Sequence, residues 1–151
     1  MLRTTFSEAL KAAMRSKNSL RVSTIRLIMA TLKDCDIAVR EKGNHEGISE
    51  PEILQMLQGM VKQRKESAIL YEQGDRLDLV EQEKAEINIL QEFLPPVLSL
   101  EETTKVVSDI LEKLNAHSIK DMGRVMSELR ENYVGQMDFS VASQILKENL
   151  R

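Results

Sequence analysis

The sequence predicts an all-α fold, an N-terminal four-helix region followed by a small three-helix C-terminal module, and three observations lead there. Apolar residues recur every three to four positions in successive segments, the period of a helix face and not of a strand. Aromatic residues are only 3% of the chain and tryptophan is absent, so the core is aliphatic and Met-rich, whereas strands draw on aromatic and β-branched side chains. Start and stop signals punctuate the segments. With 151 residues, 42% of them hydrophobic, the chain is long enough to bury a core.

Thr5 and Glu8 form an [ST]-x-x-[DE] capping box that opens the first helix, in which Phe6, Leu10, Ala13 and Met14 recur up to the polar break "SKNS". The second runs from about Leu20 to Lys42 on a stripe of Val22, Ile25, Ile28, Met29, Leu32, Cys35 and Val39, with Gly43 as its stop. Arg26, Lys33 and Arg40 recur every seven residues beside that stripe. Ser49 as N-cap, Glu52 three residues on, Pro51 in the first turn and Ile48 placed to staple onto Ile53 start a long third helix that ends at Gly74. Asp75 then caps a fourth, built on Leu77, Val80, Ile87, Leu90 and Leu94. Pro95-Pro96 forbids its continuation and sets a boundary between residues 1–95 and 96–151. Beyond it Ser99 with Glu102, Ser118 with Asp121, and Asp138 open helices at about 100–114, 119–132 and 139–150.

The composition argues against several classes of function. One cysteine, Cys35, allows no internal disulfide, and "MLRTTFSEAL" lacks the apolar segment of a secretory signal, so a reduced, cytoplasmic setting is expected. No run of about 18 apolar residues is present, and no membrane partner is expected. Nucleotide chemistry usually needs a glycine-rich phosphate cradle; the Gly43 and Gly47 that bracket "NHE" fit neither common pattern and read as an interhelical loop. His45, His117 and Cys35 are far apart, with no second His or Cys at i+3 or i+4, so no metal or cofactor is expected. Cys35 lies in an apolar stripe and reads as a buried, inert thiol; the many carboxylates read as solvated helix faces. No catalytic residue is assigned.

Basic residues are the remaining signal. The net charge of −3 hides an asymmetry: residues 1–33 hold seven Lys or Arg and one acid, Glu8, so that segment carries +6 and the remainder −9. Arg15, Lys17 and Arg21 cluster at the junction of the first two helices, Arg26 and Lys33 follow on the second, and Lys62, Arg64 and Lys65 lie on the third. Lys and Arg hold phosphates without any motif, and the scarcity of aromatics disfavours readers that stack single-stranded bases. Duplex or folded RNA, recognised by shape and phosphate, is the compatible ligand.

Six ordered blocks then resemble one family. "RVSTIRLI" (Arg21 to Ile28), "VKQRKES" (Val61 to Ser67), "YEQGDRLDL" (Tyr71 to Leu79), "EKAEINILQEFLP" (Glu83 to Pro95), "KDMGRVM" (Lys120 to Met126) and a closing G-x-x-D (Gly135, Asp138) are similar to the YqeY-like proteins over nearly the whole chain. The resemblance implies a C-terminal module similar to the tail of the B subunit of glutamine-dependent aminoacyl-tRNA amidotransferase, where the tail holds tRNA and other parts do the chemistry. It therefore implies a non-catalytic binder of tRNA or similarly folded RNA, accessory to aminoacyl-tRNA metabolism, with a protein of that metabolism as a possible partner. Lys120 and Arg124 join the RNA-binding set on this ground, and Gly123, Gly135 and Asp138 are its structural motif residues. Gly123 is expected to let a neighbouring helix or a ligand backbone approach closely, which offsets a cost of about 1 kcal/mol relative to alanine. Two alternatives stand beside this one: the family-level label of carbon–nitrogen ligase with glutamine as amido-N-donor, and a protein-interaction module. The chain departs from the family pattern at Gln136 and Met137, where a basic turn is common, and at Ser127, where glycine is frequent. The first departure weakens the RNA reading for the C-terminal module and shifts weight to the basic N-terminal helices.

Overall fold

The structure is a computed structural model that describes residues 1–150. The described residues form helices α1 (Leu2–Arg15), α2 (Ser19–Arg40), α3 (Glu50–Gln73), α4 (Leu77–Gln91), α5 (Leu100–Lys113), α6 (Met122–Tyr133) and α7 (Phe139–Asn149), with a 3₁₀ turn, Ile119–Asp121, ahead of α6 and no strand among them. They divide into two compact units, Met1–Leu94 with α1 to α4 and a second that begins at Pro95 and carries α5 to α7. The all-α class is therefore observed.

In the first unit the apolar period of each helix converges on one core: Phe6 of α1, Ile28 and Leu32 of α2, Ile53 and Leu57 of α3, and Leu90 of α4. Each such side chain contributes on the order of 1.5–3 kcal/mol by leaving water. Phe6 meets the ring of Phe93 edge-on, with centroids 5.1 Å apart, and a side cluster of Ala13, Ile25 and Ile89 joins α1, α2 and α4. The short link Gly74 to Arg76 makes α3 and α4 an antiparallel hairpin, the most extensive helix pair in the molecule. α3 continues to Gln73, yet burial along it stops at Val61. Toward the tip of the hairpin Ile69, Leu70 and Leu77 are exposed.

Helix ends explain two differences from the sequence expectation. α1, α3 and α5 close with a residue in the left-handed region, Lys17 (φ 57°), Asp75 (φ 57°) and Asn115 (φ 52°), and Gly43 (φ 96°) does the same after α2. At each, two crossed backbone bonds satisfy the last carbonyls: Asn18 N to Ala13 O and Lys17 N to Met14 O after α1, Arg76 N to Tyr71 O and Asp75 N to Glu72 O after α3. Asp75 therefore terminates α3 instead of capping α4, because the paired bonds require it and not Gly74 to be left-handed. Thr5 is likewise no N-cap. α1 begins a turn earlier, since Glu50 accepts the Leu2 amide at 2.9 Å and supplies from α3 the partner a local cap would give, and Thr5 Oγ1 donates back to Met1 O.

The second unit packs Val107 and Ile110 of α5, Val125 and Leu129 of α6, and Leu146 of α7 around Met137. Ser99 and Glu102 form the expected capping box on α5. Asp121 accepts from the amides of His117 (3.1 Å) and Ser118 (3.3 Å), which holds its carboxyl below the usual carboxylate range. That clamp makes the 3₁₀ turn and moves the start of α6 to Met122, so Gly123 lies in its first turn and not inside it. A Cβ at Gly123 meets nothing within 4 Å. This corrects the expectation that a neighbouring helix presses on it: position 123 points into open space. Gly135 is buried at φ 83°, and Asp138 Oδ1 accepts the Ser140 amide at 2.9 Å, so the G-x-x-D sequence is a turn followed by an N-cap. Met137, 1% exposed, is its core anchor.

Candidate nucleic-acid interface

The junction of α1 and α2 is built from consecutive residues with distinct tasks. Lys17 carries the left-handed conformation, and Asn18 then caps α2 by accepting the Arg21 amide at 3.1 Å. The turn leaves a groove of about 570 Å³, in which Met14 and Val22 present apolar surface, Ser19 and Ser23 hydroxyls, and Lys17 and Arg26 the charge. Arg15 is exposed at the end of α1 beside it. From this groove the outward face of α2 continues: at about 100° per residue Arg26, Ala30, Lys33, Ile37 and Arg40 fall within about 80° of one another, and Arg26 to Arg40 spans about 21 Å. All five are exposed, and no carboxylate hydrogen-bonds Arg26, Lys33 or Arg40.

The structure sorts the ten candidate cations into two groups. Arg15, Lys17, Arg26, Lys33, Lys62, Lys65 and Lys120 are exposed and have no ion-pair partner among the described residues. Arg21, Arg64 and Arg124 are engaged within the protein. Arg21 pairs with Glu92, tying α2 to the end of α4. Arg64 donates from Nε to Glu86 Oε2 at 3.0 Å and from Nη1 to Met60 O at 3.2 Å, with the two side chains of the pair 11% and 16% exposed. Arg124 donates to Leu114 O at 3.0 Å and Asp121 Oδ1 at 3.2 Å. Arg3, which adds to the +6 of the opening segment, is also committed. It forms a bidentate pair with Asp36 at 2.7 and 2.9 Å and reaches Ile48 O at 3.0 Å, fixing the loop before α3. That Arg3 guanidinium is the main reason the Asp36 carboxyl lies below its ordinary range.

Arg40, placed in register with Arg26 and Lys33 by its seven-residue spacing but left out of the expected RNA-binding set, is exposed on the same face. Leu27 and Ile37, 46% and 48% exposed beside the cations, gave no such signal in the sequence. Cys35 is half-buried against the core and not fully enclosed. His45 is exposed, while His117 Nε2 lies 2.7 Å from Asn115 Oδ1 in the turn after α5. No helix among the described residues is long and apolar enough to cross a membrane.

Comparison with known proteins places this chain in a family. The protein "Altered inheritance of mitochondria protein 41, mitochondrial" of Kluyveromyces lactis is 36% identical over 107 residues, 70% of this chain and 56% of its own length. Its namesake in Clavispora lusitaniae is 32% identical over 126 residues, 82% of this chain and 71% of its own. That in Lachancea thermotolerans is 34% identical over 70% of this chain and 55% of its own. The chain thus spans little more than half the length of two of these relatives. All three are mitochondrial by name, which overturns the cytoplasmic assignment: a lone cysteine speaks against disulfide stabilisation but does not separate the cytosol from a reduced organelle interior. The model of the Yqey-like protein family matches residues 3–150, and the chain belongs to that family.

Proposed function

We propose that the first unit binds tRNA or a similarly folded RNA through the α1–α2 junction and the outward face of α2, as an accessory to aminoacyl-tRNA metabolism. The observation that carries this reading is the alignment of cations that no carboxylate hydrogen-bonds, Lys17 and Arg26 at one groove and Lys33 and Arg40 beyond it on the exposed face of α2. Cations about 10 Å apart along a rigid helix meet successive or facing phosphates of a folded strand without touching a base, which is recognition by charge and shape. Arg15, Lys62 and Lys65 add to the charge of the first unit, and Lys120 offers a separate phosphate-binding position on the second. Arg64, enclosed and held through two nitrogens, is committed to joining α3 to α4, whereas Arg21 and Arg124, each held through a single nitrogen, hold the helices in place and keep other N–H donors for a phosphate. The relatives' names support a mitochondrial setting for this role.

Filter binding of unfractionated tRNA tests the proposal. Affinity is expected to fall steeply between about 50 and 200 mM salt as counterions are released. No retention of tRNA at the lowest salt ends the proposal.

A further inference from the structure

The outer half of the α3–α4 hairpin has properties that RNA binding does not use. Beyond Val61 no residue of α3 is buried, and around the loop Ile69, Leu70 and Leu77 are 55%, 66% and 63% exposed. Aliphatic side chains left this open at the end of a two-helix arm gain by being covered. The same segment is acidic: residues 66–83 hold six carboxylates against one cation, and that cation, Arg76, is already paired with Asp78 at 3.2 Å. A like charge would repel RNA from this tip. The chain carries the complement of the tip on α2, where Arg26 and Lys33, which no carboxylate hydrogen-bonds, alternate along the helix with the exposed Ala30 and Ile37.

We propose that the α3–α4 tip of one copy docks on the outward face of α2 of a second copy, with Leu70 and Leu77 covering Ala30 and Ile37 while the tip carboxylates pair with Arg26 and Lys33. Apolar groups then meet apolar groups and each sign of charge meets its opposite, the pattern that gives an interface both register and a fast approach. Tip and strip are different surfaces, so the association is head-to-tail and an open assembly keeps one unused tip at one end and one unused strip at the other until a ring closes. RNA and a second copy claim the same strip and exclude each other. The docking itself does not depend on RNA binding.

Sedimentation velocity of the nucleic-acid-free full chain tests this. At low salt the mass is expected to rise above the 17.2 kDa of the monomer as protein concentration increases, and to return to it in high salt. Two double variants, L70S/L77S on the tip and R26E/K33E on the strip, alter exposed side chains, and circular dichroism verifies that each is folded. Each alone is expected to remain monomeric. Mixed in equal amounts, they are expected to form a species of twice the monomer mass and no larger, because the mixture retains one intact tip and one intact strip per pair. Wild-type protein that stays monomeric at low salt overturns the proposal, as does a mixture that stays monomeric or association that survives in either double variant. Loss of tRNA binding without loss of self-association would fault the functional proposal alone, and the reverse would fault this one alone.

Discussion

The guanidinium of Arg64 on α3 and the carboxylate of Glu86 on α4 face each other at 3.0 Å with little of either side chain exposed. An arginine in a basic run, "KQRK", is thereby a bolt across the hairpin and not a free surface charge. Arg64→Ala leaves Glu86 short of its partner in a partly desolvated site and is expected to cost about 2 kcal/mol of unfolding free energy. Lys62→Ala and Lys65→Ala, both at exposed positions, are expected to stay within about 0.5 kcal/mol of wild type. Urea denaturation midpoints measure the contrast, and three equal midpoints would refute the structural role of Arg64.

Lys17 combines an unfavourable backbone conformation with a place in the α1–α2 groove. Lys17→Gly relieves the left-handed strain and is expected to raise stability by up to about 1 kcal/mol while weakening tRNA retention several-fold. Thermal unfolding and filter binding on the same preparation test the pair of effects. A stabilised variant with unchanged RNA affinity would remove Lys17 from the interface.

Two carboxyls shift in opposite directions and give opposite pH signatures. Asp36 is held low by the hydrogen bonds from Arg3, so its contribution is present above the ordinary carboxylate range and is lost as pH falls through its lowered folded-state value. Asp36→Asn is expected to lose about 1 kcal/mol at neutral pH and to converge with wild type in acid. Glu83 is pushed up by burial, and then by the neighbouring Glu86. Its protonated form favours the folded state, and that advantage disappears as pH rises through the raised value, so Glu83→Gln is expected to stabilise at neutral pH and to lose the effect in acid. Melting temperatures measured from pH 3 to 8, a range of roughly one unit below to several above the free carboxylate values, separate the two. Parallel curves for both variants and wild type would contradict the assignment.

Gly47 and Gly123 look alike in the sequence and differ in space. A Cβ at Gly47 would lie 2.6 Å from Asp36 Oδ1 and 2.8 Å from Arg3 Nη2, at a φ of 91°. Gly47→Ala is expected to cost about 2 kcal/mol. Gly123→Ala, with nothing within 4 Å, is expected to be stabilising by about 0.5–1 kcal/mol. Equal denaturation midpoints for the two variants would show that the Gly47 turn is not strained.

Local chemistry made most of the fold readable. Ser49 with Glu52 and Ser99 with Glu102 start helices where their spacing says they should, and the period of Ile28, Leu32, Ile53 and Leu57 marks the core. What failed depended on interactions between residues distant in sequence. Thr5 loses its capping role because Glu50, 48 residues away from Leu2, satisfies the start of α1. Asp75 is read as a cap because Gly74 is the more obvious stop, and only the crossed hydrogen bonds reveal which residue is left-handed. In the candidate interface the sequence locates the cations and not their engagements: nothing in "VKQRKES" distinguishes Arg64, which reaches Glu86 22 residues on, from its solvated neighbours.

The central claim, that the outward face of α2 grips a polyanion, is tested most directly by the salt dependence of tRNA binding in R26Q/K33Q/R40Q beside K105Q/K147Q, a control at exposed lysines of the second unit. If the claim holds, the slope of log K against log salt becomes shallower by roughly 0.7–0.9 for each phosphate that the α2 triple variant no longer neutralises, and stays at the wild-type value in the control. Identical slopes for wild type and the triple variant would contradict it.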